Sequence, residues 1–325
     1  MAGSRHDYFP VSDLSRCANM RRSAAALAAA WAEGDQAPDG LLAAMRAVEQ
    51  APPETAIAAL ASWIDDIGWL RDRLAQAMVL LAGDVFARPP LRPVGDSAFG
   101  GLLLAEAGPV RITLLVRRFE TAAASDAATA LFAPGRMRLR ILAAGGATIH
   151  RHYVSVSATE EAGGFAAATA PPCTNAAPRP LVTGEIFALD TAREALSLTG
   201  GTGDVLMLEL AVQPPSPLPV RAYDVESGRL VHVSASQRDS SFRGMALALL
   251  RTLGRADAVP LFTAETKAVD FAARWNAMRE LVALDSAAAA APLAGMAASD
   301  PHPEVRRAAA ATLTLFERES AQCPA

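Results

Sequence analysis

Two histidines one residue apart stand in the stretch "GGATIHRHYVSVS", Gly145 to Ser157, of a chain that has only five histidines. Side chains alternate along a strand, so His150 and His152 would share one face with Val154 and Val156. Ile149, Arg151 and Tyr153 would take the other. Two imidazoles at that spacing can chelate one cation, because neutral nitrogen donors suit divalent first-row metals. A working centre also needs a third donor from another strand and an open position for substrate. His232, in "RLVHVSAS", is the other histidine of the strand-rich region and the candidate third ligand. The alternative is two ordinary polar residues in a sheet.

Other residues with chemical potential are sparser. Arg111, Arg117 and Arg118 flank "ITLLV". An inward arginine there could hold a carboxylate bidentately, but a solvated or salt-bridged surface position is the plainer expectation. Tyr153 and Tyr223 can each offer a hydroxyl to a ligand or serve as partly buried structural residues. "SLTGGTGD" is glycine-rich, yet neither a P-loop lysine nor a helix follows it, which argues against phosphate binding. No GxSxG elbow is present. Cys17, Cys173 and Cys323 lie far apart and form no CxxC pair. That pattern fits free thiols in a reducing cytoplasm rather than a disulfide framework or a cysteine zinc site. His6 and His302 read as loop residues, and Trp63, Trp69 and Trp275 as core.

The elements that would position these residues fall into three blocks. At 325 residues the chain is too long for one small core. Residues 1–88 read as a helical unit. Its first helix has a Ser12 or Asp13 cap, and its last run, "PPETAIAALASWIDDIGWLRDRLAQAMVLLAGD", carries an apolar stripe of Ile57, Leu60, Ile64, Ile67, Leu70 and Leu74. Residues 89–238 change to short strand-like runs separated by Gly and Pro, which indicates an antiparallel sandwich or barrel. "RMRLRIL" alternates cleanly, with Met137, Leu139 and Ile141 inward and Arg136, Arg138 and Arg140 outward. "YDVESGRLV" predicts a hairpin turning at Glu226 to Gly228. Residues 239–325 return to helix. The fold class expected is α+β, with a β domain between two helical units.

Charge and hydropathy narrow the partners. A net charge of −4 without a long basic run argues against broad nucleic-acid binding. No run approaches the roughly 20 strongly apolar residues of a membrane span. The polar start, "MAGSRHDYFPVSDLSRC", lacks the apolar core of a secretion signal, so a cytoplasmic location is expected.

Two resemblances sharpen this reading. "SDPHPEVRRAAAATLTLFE" resembles the junction of a HEAT repeat, an Asp-Pro turn before a Pro-Glu-Val-Arg helix start. Aligning "RWNAMRELVALD" from Arg274 with "RRAAAATLTLFE" from Arg306 gives a period of about 32 residues. Helices near 266–284 and 304–317 are then expected to pack as neighbours, burying Trp275, Leu281, Val305 and Leu313. The "IHRH" strand, the later "LMLELAV" strand with its Pro-rich exit and the "AYDVESGRLV" hairpin together resemble the cupin fold, and within it the cysteine-dioxygenase-like branch. That resemblance implies a small β-barrel holding a mononuclear iron(II) that binds a thiol and dioxygen, with His150 and His152 as ligands. The chain departs from the pattern in two places. The glutamate expected shortly after the second histidine is replaced by Val and Ser. The third histidine, expected within "LDTAREALSLTGG", is absent.

Two function classes follow. One is a degenerate cupin-like domain with helical flanks, serving as a module for a small-molecule ligand or for a protein partner docked on those flanks. The other is an iron-dependent oxygenase acting on a small thiol or amino-acid-like substrate.

Overall fold

The computed structural model describes residues 14–83, 87–95, 99–119, 129–236 and 238–322. His6, the expected Ser12 or Asp13 cap and Cys323 lie outside them, as does the side chain of Cys17. The N-terminal unit contains α1 (Leu14–Gln36), α2 (Leu41–Ala47), α3 (Pro53–Ala59), α4 (Ser62–Asp65) and α5 (Gly68–Gly83). The last expected helix is therefore broken into three. Asp66 takes an extended backbone after α4, and its carboxylate accepts the Gly68 amide at 2.9 Å, which starts a new helix. The apolar stripe survives the breaks: Leu60, Ile64 and Leu70 are buried, while Ile57, Ile67 and Leu74 pack against them.

The β domain is antiparallel throughout. Its strands are β1 (Arg92–Gly95), β2 (Gly100–Ala107), β3 (Val110–Arg117), β4 (Thr129–Phe132), β5 (Arg136–Ala143), β6 (Thr148–Tyr153), β7 (Thr174–Asn175), β8 (Arg179–Pro180), β9 (Ile186–Asp190), β10 (Glu194–Thr199), β11 (Val205–Val212), β12 (Val220–Asp224) and β13 (Leu230–Ser234). They form a six-stranded sheet ordered β1-β2-β3-β11-β5-β9, a smaller sheet β10-β6-β7 with β8 also on β6, and a three-stranded sheet β13-β12-β4. The hairpin expected at Glu226 to Gly228 joins β12 and β13, with Gly228 at a φ of 68°. The glycine-rich "SLTGGTGD" leads from β10 to β11. There Thr202 and Gly203 donate their amides to the Gly145 carbonyl at 2.8 and 3.1 Å, so the segment has a structural use. A side chain at Gly145 would collide with the Gly203 carbonyl, and its φ of 55° also favours glycine.

The arginines of β5 point away from the barrel interior, as expected, but they meet the N-terminal helices rather than water. Arg138 binds the Asp65 carboxylate through both Nε (3.1 Å) and Nη2 (2.7 Å). Arg140 donates to the backbone carbonyls of Ile64 and Asp65 at the end of α4. Arg136 bridges Glu54 on α3 and Asp190 on β9. Between these clamps, Leu41, Met45, Leu60 and Ile64 pack on Val110, Ile112, Leu208 and Leu210.

The C-terminal unit comprises α6 (Arg238–Thr252), α7 (Val259–Glu265), α8 (Phe271–Leu284), α9 (Ser286–Ser299) and α10 (Pro303–Gln322). Leu281 and Val305 are buried as expected, whereas Trp275 and Leu313 are only partly covered at the edge of that core. Asp270 caps α8 through the amides of Ala272 (2.8 Å) and Ala273 (3.0 Å). Arg274 and Asp300 form a buried two-point bridge at 2.9 and 2.8 Å. Arg274 also donates to the carbonyls of Ala268 and Val269. Burial works against the Asp300 carboxylate, yet the Arg274 hydrogen bonds and the His302 amide hold it below the usual carboxylate range.

His302 lies in the loop between α9 and α10, as expected, and is buried there where the helical unit meets the β domain. Its ring stacks on Phe271 at 3.9 Å, and Nε2 donates to the Phe165 carbonyl at 2.9 Å. Glu304 completes the joint by accepting the amides of Ala167 (2.9 Å) and Ala168 (3.2 Å).

Removing one partner of a buried pair leaves the other charge stranded. Arg274→Ala is therefore expected to lower stability by about 3–5 kcal/mol, read from the urea midpoint. The double variant Arg274→Ala/Asp300→Ala is expected to recover part of that loss. An unchanged midpoint in the single variant would contradict the burial of the bridge.

Candidate functional site

The histidine pair sits on β6 as expected, on the face opposite Ile149. That placement turns it away from the barrel interior. Ile149 lines an internal cavity of about 300 Å³, together with Leu196 and Leu198 of β10 and Met137, Leu139 and Ile141 of β5. His150 and His152 have the other parity and are absent from that lining. His152 is 1% exposed, and both of its ring nitrogens are engaged. Asn175 donates its amide nitrogen to the Val225 carbonyl at 2.8 Å, so its oxygen must accept from His152 Nδ1 at 2.7 Å. The remaining lone pair, on Nε2, then receives the Ser197 hydroxyl at 2.8 Å. His150 Nε2 pairs with the Thr199 hydroxyl at 2.7 Å. His232 lies exposed on β13, in a different sheet from β6.

The structure thus brings His150 and His152 side by side but does not add His232 to them. Among the described residues no group of three or more His, Cys, Asp or Glu is placed to hold a metal ion. The donor arrangement implied for iron(II) asks for free imidazole lone pairs converging on one point, and the hydrogen bonds of His152 use both of its nitrogens. The residues present do not fit that centre.

The cavity is the stronger candidate. Its walls come from the six-stranded sheet on one side and from β6 and β10 on the other, and they are mostly aliphatic. Four polar residues interrupt them: Thr191, Glu194, Glu209 and Gln213. Glu209, on the central strand β11, was not singled out by its type or spacing. The available signal was a lone carboxylate inside the apolar run "VLMLELAV". Desolvation pushes its carboxyl above the usual range, although the nearby Arg111 charge pulls the other way. Glu194 is held by Arg151 at 3.0 Å, and the Arg151 Nε and Thr191 hydroxyl are buried without a hydrogen-bond partner.

The β3 arginines are also distinguished by the fold. Arg111 binds Gln213 at 3.2 Å on the cavity side. Arg117, expected at the surface, is buried with its guanidinium 5.3 Å from the Phe99 ring and 5.0 Å from that of Phe119. Arg118 is exposed. Tyr223 is fully buried and packs edge-on against Phe132, so it belongs to the core. Tyr153 lies under the Arg151 guanidinium at 5.3 Å. Cys173 is buried and unbridged, and desolvation raises its thiol.

Comparison with known proteins adds the following. The family model described as HEAT repeats matches residues 229–314, a span that begins at the β13 hairpin and ends within α10. No curated protein sequence matches the chain. Among solved structures, ectoine synthase from P. lautus is similar at 10% identity over 38% of this chain and 71% of its own, with a TM-score of 0.23. A sugar phosphate isomerase from a cupin superfamily, from Silicibacter pomeroyi, shares 10% identity over 40% of this chain and 66% of its own, with a TM-score of 0.24. A mutant of oxalate decarboxylase from Bacillus subtilis shares 11% over 37% of this chain and 27% of its own, with a TM-score of 0.22. These scores are low, and the architecture rests on the strand pairings themselves.

The raised Glu209 carboxyl has a signed consequence. In the folded protein it keeps a proton that the unfolded chain releases once pH passes the ordinary glutamate range. The stability linked to it is therefore complete below that range and is lost as pH rises toward the folded value. Glu209→Gln removes this loss. The thermal midpoint of the variant is expected to gain on that of wild type as pH rises above the ordinary glutamate range. A constant margin across that rise would show that the carboxyl is not elevated.

Proposed function

We propose that the β domain is a degenerate cupin-like module that binds a small, largely apolar molecule inside its barrel. The observation that carries this reading is the cavity itself: an aliphatic chamber with a few polar groups at fixed positions, the usual anatomy of a ligand site. Desolvation favours the protonated form of the Glu209 carboxyl, which can donate a hydrogen bond as well as accept one. The best-suited ligand is therefore an uncharged molecule with a hydrophobic body and one hydroxyl or carbonyl group. An anion would meet the Glu194 carboxylate, and a strongly hydrated cation would lose its water to aliphatic walls.

The helical units serve this module as scaffold and interface. The clamps from β5 to α4 hold the six-stranded sheet from outside, and the joint around Phe165 and His302 holds the C-terminal helices against it. Among the described residues no helix is long and apolar enough to cross a membrane.

Straight-chain primary alcohols and the matching alkanes test the cavity. A ligand that binds only the folded state raises stability by about 2.7 kcal/mol at a hundredfold excess over Kd. The expected result is stabilisation by one alcohol of best-fitting length, more than by its alkane, and its loss in Met137→Trp, which fills the chamber. Equal stabilisation of Met137→Trp would place binding elsewhere, and none in wild type would remove the proposal.

The same preparation answers the oxygenase alternative. After anaerobic iron(II) loading, the protein is expected to retain far less than one equivalent of metal. Stoichiometric iron that disappears in both His150→Ala and His152→Ala would restore the oxygenase reading.

A further inference from the structure

An open trough of about 640 Å³ runs between β13 and the helices α8 and α10, apart from the barrel cavity. Its floor is apolar and includes Phe165, Phe271, Trp275 and Val305. On the β side it is bordered by Val231, His232 and Val233, three consecutive residues. Val231 sits at a shift in the register between β12 and β13, which breaks the usual alternation and brings all three residues to the trough. β13 is the edge strand of its sheet, paired with β12 alone, and Val231 is 56% exposed. Such an edge offers backbone donors and acceptors to an incoming extended chain.

Charge selects the chain. Arg279 on α8 and Arg307 on α10 line the trough and are exposed, and neither forms an ion pair or hydrogen bond with another described residue. The carboxylate lining it, Glu304, is occupied by the Ala167 and Ala168 amides. The trough therefore has an excess of positive charge in a chain whose net charge is −4. We propose that this trough docks an extended acidic peptide segment of a protein partner, which adds a strand to β13. Its apolar side chains would rest on Phe271 and Trp275, and its carboxylates would meet Arg279 and Arg307.

The test is peptide display on the full-length chain from a random library, run in parallel on wild type and on Arg279→Glu/Arg307→Glu. Both arginines are exposed, and circular dichroism of the double variant checks its fold. Wild type is expected to enrich peptides combining apolar residues with Asp or Glu, and the double variant to reverse that preference toward Lys or Arg. A synthetic peptide from the wild-type selection is expected to bind the double variant at least tenfold more weakly. N-methylation of its alternate backbone amides, in the register that pairs with β13, is expected to abolish binding. Enrichment without acidic bias, equal affinity for both proteins or no enrichment at all would overturn the proposal. So would a wild-type dimer, seen by light scattering, that the double substitution dissociates, because the occupant would then be a second copy of this chain.

Discussion

The central strand of the large sheet must bury both of its faces, and most of the architecture answers that requirement. On β11, Leu208, Leu210 and Val212 turn toward the N-terminal helices, while Met207 and Glu209 turn toward the cavity. A sheet covered on both sides reads as a nearly continuous apolar run, which is what "VLMLELAV" is. The helices are therefore a wall of the β domain rather than an appendage to it. The arginines of β5 make the attachment directional. Arg140 reaches backbone carbonyls at the C-terminal end of α4, where the helix dipole favours a positive charge, and Arg138 takes the Asp65 carboxylate beside them.

Much of this was legible in the sequence because it depends on local period. β3, β5, β6, β9, β11, β12 and β13 follow the alternating or β-branched runs, and the β12–β13 hairpin turns where its residues require. β1, β2, β4, β7, β8 and β10 lie outside those runs, β2 and β10 for a physical reason. "GGLLLAEA" and "EALSLT" are composed largely of residues with weak strand preference, and only their neighbours in the sheet make them strands. The breaks after α3 and α4 were hidden for a different reason. An apolar stripe at helical spacing persists through a kink, and Asp66 acts through a hydrogen bond that periodicity does not register. His302 is a loop residue, as its sequence context indicates, but its burial is invisible there because it comes from Phe165, 137 positions earlier.

The site was less legible than the fold. Spacing showed correctly that His150 and His152 share a face, but it carries no information on which face is inside. That choice is made by the pairing of β6 with β10, where Leu198, opposite Ile149, lines the cavity and Ser197, opposite His150, does not. His152 then acts as a staple: through Asn175 and Ser197 it ties β6 to β7 and β10. A buried imidazole with both nitrogens satisfied holds strands in register at no cost in unpaired polar groups. The carboxyl that does enter the chamber, Glu209, carried no motif, because its meaning comes from desolvation.

The joint around Phe165 also bears on how the chain is built in time. Phe165 and the amides of Ala167 and Ala168 belong to a segment between β6 and β7, and their partners His302 and Glu304 come more than 130 residues later. During synthesis the strands of the barrel are complete well before those partners leave the ribosome. Throughout that interval Phe165 has its neighbours Ala192 and Leu218 but not Phe271, and the Ala167 and Ala168 amides lack the Glu304 carboxylate. The nascent chain thus passes through a stage at which its barrel strands are made but the joint is half built, with two backbone donors open to other partners.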